Sequence, residues 1–336
     1  MNQTELIKVG LDEATMNAFS VYGRYQLARI TYQQKDLYTV ISSMGTHQAR
    51  ISGKMMYEAM SFNDYPAVGD WVAMEYNDSI SIIHHILPRK SVLERKSAGV
   101  TSEGQIIATN LDVVFICMSL NQNFNLRRLE RYLAVVFASG ATPIILLTKS
   151  DLTDQFDLLY KEVEKCASNV QILKSSSVEE NGYSQVKSIM QKSKTYAFIG
   201  SSGVGKSTLV NALLNDVVMD TFEVGKMAKG RHITTSRSLF VTEEGYIIID
   251  TPGMRELQLD QTDFSLSFSD IESLSTHCKF NDCTHTFEPS CAVKDAIENG
   301  TISNERLKNY QKMLKEAKHQ ETKQRKQLKE KSRPHK

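Results

Sequence analysis

The sequence lacks the features of secreted and membrane proteins. No apolar run approaches the roughly 20 residues that a membrane-spanning helix needs, and residues 1–5 are polar where a secretory signal is apolar. Cysteine is scarce, with five in 336 residues, and an odd number argues against a disulfide framework. We therefore expect a protein of the reducing cytoplasm with no membrane partner.

Length and charge suggest a multidomain protein with a basic end. A chain of 336 residues suits two or three domains, each with its own core. Residues 305–336 hold nine Lys and three Arg against four Glu, a net charge of +8, so the remainder carries −7 of the total +1. This end indicates a polyanionic partner; a solvated, fraying helix is the alternative.

The stretch G-S-S-G-V-G-K-S at residues 200–207 follows an apolar strand-length run and precedes a helical pattern. It matches phosphate-binding loops, in which backbone N–H groups and the following helix surround an anion. Lys206 would reach the outer phosphates, and Ser207 would bind Mg²⁺. The predicted nucleotide-binding residues of this loop are Gly200, Ser201, Ser202, Gly203, Val204, Gly205, Lys206, Ser207 and Thr208.

Residues 25–83 contain five short alternating segments separated by turn residues, which predict a small barrel of the oligonucleotide-binding (OB) type. Such barrels bind nucleic acid through aromatic and basic side chains. Candidate contacts are Tyr25, Arg29, Arg50 and Lys54, with residues 88–96 as a basic exit segment. For each of these residues, an ordinary surface position is the alternative.

From residue 110, continuous apolar strands alternate with amphipathic helices, which predicts a parallel sheet covered on both faces. Ligands of such sheets bind at the carboxyl ends of the strands. One strand runs into Thr148, Lys149, Ser150 and Asp151, which we call the guanine reader (residues 148–151). The Asp151 carboxylate can accept the N1–H and N2–H bonds of guanine, with Lys149 along the base.

The next strand runs into Ser176 and Ser177, where a backbone N–H could meet the guanine O6; an ordinary polar loop is the alternative for each serine. After the phosphate-binding loop, a threonine within residues 226–236 could complete the Mg²⁺ shell. The later D-T-P-G stretch offers Asp250 for an outer-sphere Mg²⁺ contact and the Gly253 N–H for the γ-phosphate.

The order of these motifs is unusual. In Ras-like GTPases the phosphate-binding loop precedes the guanine reader, whereas here residues 148–151 precede residues 200–207. The domain is therefore predicted to be circularly permuted, with the chain leaving directly after the second switch.

A metal-ligand pattern follows at Cys278, Cys283, His285 and Cys291. Three thiolates and one imidazole form a closed tetrahedral shell typical of structural zinc, and His277 is a poorer candidate ligand. Leu307, Tyr310, Leu314 and Ala317 share one helical face, which we expect to pack on this zinc module.

The chain resembles the circularly permuted RsgA/YjeQ GTPases of late small-subunit assembly. The resemblance rests on Y-P-A-V-G-D-W at 65–71, the guanine reader, the phosphate-binding loop, G-R-H at 230–232, D-T-P-G-M-R-E at 250–256 and the cysteine-rich stretch 280–291. It implies an N-terminal OB-type β-barrel, a central circularly permuted P-loop GTPase with a mainly parallel α/β sheet, and a C-terminal zinc-binding α-helical module. The expected divisions are leader 1–20, barrel 21–97, GTPase 98–260 and zinc domain with basic tail 261–336.

The resemblance also implies a function. The expected protein is a monomeric GTPase that binds the 30S subunit and 16S rRNA and hydrolyses GTP with stimulation by the subunit, using Mg²⁺ and one structural Zn²⁺. The implied catalytic residues are His232, Lys206, Asp250 and Gly253, and Thr234, or else Thr235, matches the Mg²⁺ threonine. The alternative is a nucleotide-gated rRNA-binding protein, or a stress or translation factor that holds small subunits, with incidental hydrolysis.

Three residues depart from the related patterns. Met254 stands where Ras-like enzymes carry a water-orienting glutamine, which a thioether cannot replace, so intrinsic turnover should be slow. Thr148 stands where asparagine is commoner, which we expect to loosen the loop. Ile233 follows His232 where threonine is frequent, which leaves the Mg²⁺ threonine open.

Overall fold

The computed structural model describes residues 4–34, 36–96, 104–214, 237–250, 268–280, 282–315 and 322. The described strands are β1 (Gln26–Gln34), β2 (Leu37–Ser42), β3 (Gly45–Ile51), β4 (Trp71–Glu75), β5 (Ser81–Ile86), β6 (Val92–Lys96), β7 (Gly104–Thr109), β8 (Val113–Ser119), β9 (Thr142–Thr148), β10 (Gln171–Lys174), β11 (Thr195–Ile199), β12 (Ser238–Val241) and β13 (Ile247–Asp250).

The described helices are α1 (Thr4–Lys8), α2 (Glu13–Phe19), α3 (Gly53–Glu58), α4 (Leu126–Ser139), α5 (Phe156–Cys166), α6 (Ser184–Ile189), α7 (Lys206–Leu214), α8 (Ser269–Ser275) and α9 (Ala292–Glu298). Residues 304–315 form a further helix, called the C-terminal helix below. Short 3₁₀ segments lie at Ser20–Tyr22, Phe62–Asp64 and Ser150–Leu152. None of these described helices has the length and apolar character needed to cross a membrane.

The first five strands form the predicted barrel. Their order is β1-β2-β3-β5-β4, and β4 pairs back onto β1, which closes the sheet. Alternate residues of these strands point inward, so Ile30, Val40, Val72 and Ile83 form a fully buried core. The predicted barrel is thus confirmed, although its last strand runs over Ser81–Ile86 where the sequence predicted residues 79–83.

Arg29 corrects one prediction for the barrel. It is only 1% exposed, so it cannot contact RNA as the sequence suggested. Its guanidinium donates to the carbonyl oxygens of Val9 and Gly69 and, at 3.0 Å, to the Thr195 hydroxyl at the start of β11. The prediction was wrong because strand alternation marks an outward-facing side chain but does not show that another part of the chain covers that face.

The covering segment is the N-terminal leader. Leu6 of α1 and the following Val9 pack in one apolar cluster with Leu27 and Trp71 of the barrel. The leader is helical in α1 and α2. Arg29 therefore joins leader, barrel and β11 at a buried point.

The predicted basic exit segment, residues 88–96, is part of a two-stranded sheet. Strand β6 pairs antiparallel with β7, which was not predicted from the sequence because its apolar run, Ile106 to Ala108, is only three residues long. In the same segment, Arg89 is held by two bonds of 2.9 and 2.7 Å to the buried carboxylate of Asp70. Arg89 is therefore engaged within the fold.

The central sheet has the order β10-β9-β8-β11-β13-β12. All neighbours in it are parallel except β12, which runs antiparallel to β13 and also meets β1 of the barrel at the pair Tyr32↔Ser238. One apolar core includes α6 and α7, and the other includes α4, α5, α8, α9 and the C-terminal helix. This is the predicted GTPase fold with permuted strand order.

Candidate nucleotide-binding site and zinc centre

The phosphate-binding loop is the turn from β11 to α7. All five residues of β11 are buried, and the loop then passes through Gly200, Gly203 and Gly205 with φ angles of 146°, 78° and 102°. Residues with a Cβ rarely adopt such angles. At Gly200 a Cβ would lie 2.3 Å from the carbonyl oxygen of Cys117. The glycine spacing of the sequence is therefore a steric requirement of this turn.

Lys206 lies over this loop from the first turn of α7. Its ammonium donates to the carbonyl oxygens of Gly200 at 2.5 Å and Ser201 at 2.8 Å. Burial lowers the pKa of Lys206, and the nearby carboxylate of Asp250 opposes that shift. Ser207 and Thr208 follow as exposed residues of α7. The loop thus gathers a cation and hydroxyl groups at the carboxyl end of β11.

The guanine reader is tied directly to this loop. The hydroxyl of Thr148, at the end of β9, donates to the carbonyl oxygen of Val204 at 2.6 Å. We expected a threonine at this position to loosen the loop, but the Thr148 hydroxyl instead joins it to Val204. Lys149 follows with a left-handed φ of 56°, which turns the chain sharply after the strand.

Asp151 lies beside the serine loop that follows β10. The buried Ser176 donates its hydroxyl to the exposed carboxylate of Asp151 at 2.5 Å. The backbone N–H of Ser176 donates to the carbonyl of Gly182 at 3.3 Å, whereas the neighbouring Ser177 is exposed. The structure thus brings the two predicted base-contacting loops together, and the N–H of Ser176 is already engaged.

Ser150 links the same two loops. It is buried, and its hydroxyl donates to the Ser175 carbonyl at 3.3 Å. Asp250 ends β13 as a half-buried residue near Lys206. His232, Thr234 and Gly253 lie outside the described residues, as do Ile233, Thr235 and Met254.

Arg128 on α4 also contacts this site, although it was not among the residues predicted from the sequence. Its guanidinium donates to the hydroxyl of Ser201 at 3.1 Å. It therefore contacts the phosphate-binding loop from a helix that is distant from the loop in the sequence. Helix α4 begins where the Asn125 side chain caps the Arg128 N–H at 3.0 Å. Asn125 indicates the start of a helix, but no local motif places Arg128 beside the loop.

The four predicted zinc ligands come together. The donor atoms of Cys278, Cys283, His285 and Cys291 all lie within 4.8 Å of one another. A tetrahedral zinc shell separates its sulfur atoms by about 3.8 Å and sulfur from nitrogen by about 3.5 Å. The Cys278 and Cys291 sulfurs are 3.8 Å apart, and His285 Nδ1 is 3.7 and 3.3 Å from them. These residues therefore fit a zinc ion.

The hydrogen bond made by His285 Nε2 shows that Nδ1 is the nitrogen available to bind a metal. Nε2 lies 3.0 Å from the Ser275 hydroxyl, which itself donates to the Ile271 carbonyl at 2.8 Å. The serine oxygen therefore accepts the Nε2 proton, which leaves the Nδ1 lone pair facing the thiols. Burial lowers the pKa of His285, which favours the neutral ring that a metal requires. His277 lies outside this cluster and contacts Ser273 and Thr276.

Glu288 holds the loop that carries His285, and sequence reasoning missed it. Its carboxylate accepts the backbone N–H groups of Thr284, Thr286 and Phe287 at 2.9 to 3.0 Å. Bonds from the Thr284 hydroxyl and from backbone N–H groups, among them those of Thr284 and Thr286, hold the pKa of Glu288 well below its usual range. The loop between two ligands is thus fixed by its own side chain.

Comparisons with known proteins agree with this arrangement. The family model of the RsgA GTPase matches residues 86–260, and that of a 50S ribosome-binding GTPase matches residues 195–328. The small ribosomal subunit biogenesis GTPase RsgA 2 of Lactiplantibacillus plantarum is 45% identical over 94% of this chain and 90% of its own.

Two solved structures are similar to this one over most of the chain. The crystal structure of YjeQ from Thermotoga maritima has a TM-score of 0.66 at 25% identity, covering 87% of this chain and 98% of that one. The structure of YloQ, a circularly permuted GTPase, has a TM-score of 0.63 at 26% identity, covering 88% and 96%. With the guanine reader and phosphate-binding loop joined in permuted order, the chain belongs to the RsgA GTPase family and hydrolyses GTP.

Proposed function

We propose that this GTPase binds the 30S small ribosomal subunit and acts in its late maturation, with GTP hydrolysis stimulated by the subunit. The main structural support is the hydrogen bond from Thr148 to Val204, which joins the guanine reader to the phosphate-binding loop at the carboxyl ends of the parallel strands. The biological role rests on its relatives, which are named small ribosomal subunit biogenesis GTPases.

In this proposal Asp151 accepts the N–H groups of guanine, and Ser177 supplies the backbone N–H for its O6. The loop N–H groups and Lys206 bind the phosphates. Ser207 and Thr234 would hold Mg²⁺, with Asp250 outside them. The ion, when bound, neutralises charge on the β- and γ-phosphates.

The hydrolytic step is assigned to the two segments outside the described residues. His232 would position the attacking water, and the Gly253 N–H would donate to the γ-phosphate. These roles follow from the family resemblance of the sequence. Cys278, Cys283, His285 and Cys291 would hold a structural Zn²⁺, whose closed shell stabilises the module without taking part in the reaction.

The regions proposed to bind 16S rRNA lie before and after the GTPase domain in the chain. On the barrel they include Tyr25, which stacks on His84 at 4.9 Å between ring centres, and the exposed Arg50 and Lys54. At the other end, the basic residues 323–336 would bind phosphate groups. We propose that the protein acts as a monomer in the cytoplasm, with the domain divisions given above.

The test is turnover of GTP, and of ATP, with and without purified 30S subunits. Faster GTP hydrolysis on addition of subunits supports the proposal. A Lys206→Ala variant serves as the control that ties the activity to this loop. An absence of stimulation, or equal use of ATP, would contradict it.

The alternative function, a nucleotide-gated rRNA-binding protein, makes a different prediction for His232→Ala. If that variant binds GTP without hydrolysing it and still supports 30S maturation and release, hydrolysis is incidental. Ribosome profiles of depleted cells separate an assembly factor, whose loss accumulates immature subunits, from a factor that holds mature subunits idle.

A further inference from the structure

Helix α4 contacts two separate parts of the molecule. Arg128, in its first turn, donates to the Ser201 hydroxyl of the phosphate-binding loop at 3.1 Å. The carbonyl of the same Ser201 accepts a bond from Lys206 at 2.8 Å. Two residues along, Glu130 points to another side of the helix, since each residue turns it by about 100°, and contacts the C-terminal helix.

Glu130 is a buried carboxylate with partners on both oxygens. It is 4% exposed, and its Oε1 accepts from Arg306 at 2.6 Å, while Oε2 accepts from the Asn309 amide. A buried charge requires such partners because water cannot solvate it. The C-terminal helix therefore supplies the groups that let Glu130 be buried on α4.

Arg306 is held from its other side by the zinc-bearing region. Asp270 of α8 accepts two bonds from its guanidinium at 2.7 and 2.8 Å, and the Phe268 ring centre lies 4.9 Å away. Burial lowers the pKa of Arg306, but the bonds to Asp270 raise it more strongly, so the guanidinium stays charged. Helix α8 also carries Ser275, which binds the zinc-ligand histidine.

One continuous apolar cluster surrounds these polar contacts. Leu129 and Leu133 of α4 lie in the same buried cluster as Phe268, Leu307 and Met313. Close-packed cores transmit displacement because they leave little free volume. This connection is separate from the covalent one, in which the permuted chain is predicted to leave the GTPase domain directly after the second switch.

We propose that the C-terminal helix is a positioning element of the nucleotide site. Through Glu130 and Arg128 it sets where α4 holds the phosphate-binding loop, so loss of its contacts with Glu130 weakens nucleotide binding. Coupling is reciprocal, so bound nucleotide strengthens docking of the zinc module. The inference rests on nucleotide binding by this loop, as proposed above, and on nothing about the ribosome.

The test measures the dissociation constant of fluorescent GDP for the full zinc-loaded chain. Asn309→Ala and Arg128→Ala should each raise it about three- to tenfold, the effect of one lost hydrogen bond. The double variant should bind much more tightly than the product of the two effects predicts, because both act on the same contact. Independent, multiplying effects would overturn the proposal, since uncoupled sites add in free energy.

Tyr310→Phe is the matched control. It removes the 2.5 Å bond from the Tyr310 hydroxyl to Glu272 of α8 in the same C-terminal helix but leaves α4 untouched, so its GDP affinity should stay within about twofold of wild type, within the scatter of additive effects. Equal weakening by Asn309→Ala and Tyr310→Phe would mean general destabilisation and would overturn the proposal. Bound zinc is measured in every variant, and Glu130→Gln replaces Asn309→Ala if that variant loses its zinc.

Wild-type binding separates this inference from the proposed function. If the wild-type chain fails to bind GDP, the nucleotide site itself is misassigned. If it binds GDP but Asn309→Ala binds equally well, the positioning role alone is wrong.

Discussion

Thr148 shows how one hydroxyl connects two motifs that lie 56 residues apart in the chain. In Thr148→Val the shape is nearly kept but the donor is lost, and the Val204 carbonyl is left without this partner. We expect a loss of about 1–3 kcal/mol in the free energy of unfolding, together with weaker GDP binding. Urea unfolding and GDP titration measure the two effects.

Thr148→Ser is the control for that prediction because it keeps the hydroxyl and loses only a methyl group. It should bind GDP nearly as well as wild type. If the valine and serine variants behave alike, the bond to Val204 does not hold the loop.

Asp112 predicts a dependence of stability on pH. Burial raises the pKa of this carboxyl, but the Thr195 N–H at 2.8 Å and the Lys90 and Lys194 ammonium groups lower it below its usual value. A carboxyl whose pKa is lower in the folded chain than in the unfolded chain stabilises the fold at pH values above its unfolded-state pKa. This contribution disappears as the pH falls through its folded-state pKa. Asp112→Asn should therefore cost about 1–3 kcal/mol at pH 7 and progressively less below about pH 4.

Urea unfolding at pH 7, 5 and 3.5 compares Asp112→Asn with wild type. Asp154→Asn, at an exposed position, should change stability by less than about 0.5 kcal/mol at each pH. A constant difference between Asp112→Asn and wild type across the series would show that ionisation of Asp112 does not contribute.

At the scale of elements, the loop between the zinc ligands is held by Glu288. Substitution of a residue that holds a metal ligand in place typically lowers metal affinity by 10- to 100-fold. Glu288→Ala keeps all four ligands but releases three backbone N–H groups. We expect zinc affinity to fall by roughly tenfold, measured by competition with a chromophoric chelator.

Glu298→Ala makes the same substitution at an exposed position at the end of α9 and should leave zinc affinity unchanged. Cys283→Ser removes a ligand and should lose the bound zinc. Full zinc stoichiometry in Cys283→Ser would contradict the proposed ligand set.

The sequence predicted most elements because their periodicity is local. The alternating barrel strands and the continuous apolar strands β8, β9 and β11 lie where the patterns placed them. Strand β7 was missed because its apolar run is only three residues long, and α3 was missed because six residues are too few to show a helical period. The predicted apolar face of the C-terminal helix is confirmed for Leu307, Tyr310 and Leu314, while Ala317 lies outside the described residues.

At the scale of the whole molecule, the basic end predicts salt-dependent binding. Deleting residues 323–336 removes five Lys and two Arg against one Glu. We expect weaker 30S binding and a shallower dependence on salt, by about 0.9 in slope for each lost phosphate contact if the contacts resemble those with duplex nucleic acid. Binding is measured at several salt concentrations with GTP present.

The control for the deletion is a full-length chain in which residues 323–336 keep their composition but stand in shuffled order. It should bind as well as wild type, since counterion release depends on charge and not on sequence. An unchanged salt slope in the deleted chain would assign these residues to solvent.

The chemistry of each motif and the permuted order of the motifs follow from the order of the residues alone. A phosphate-binding loop, a guanine reader or a zinc shell needs particular residue types within a few positions of one another, so each can be read locally. Domain divisions and the roles of His232 and Thr234 remain predictions from the same source.

Which side chains connect those motifs follows from the packing of the folded chain. Arg29 lies buried against Thr195, Arg128 reaches Ser201, and Arg306 binds Glu130 across 176 residues. Contacts of this kind follow from how elements pack, and they leave no period or spacing in the chain. A charged residue has the same local signature whether it faces water or a buried partner, so folding alone separates the two.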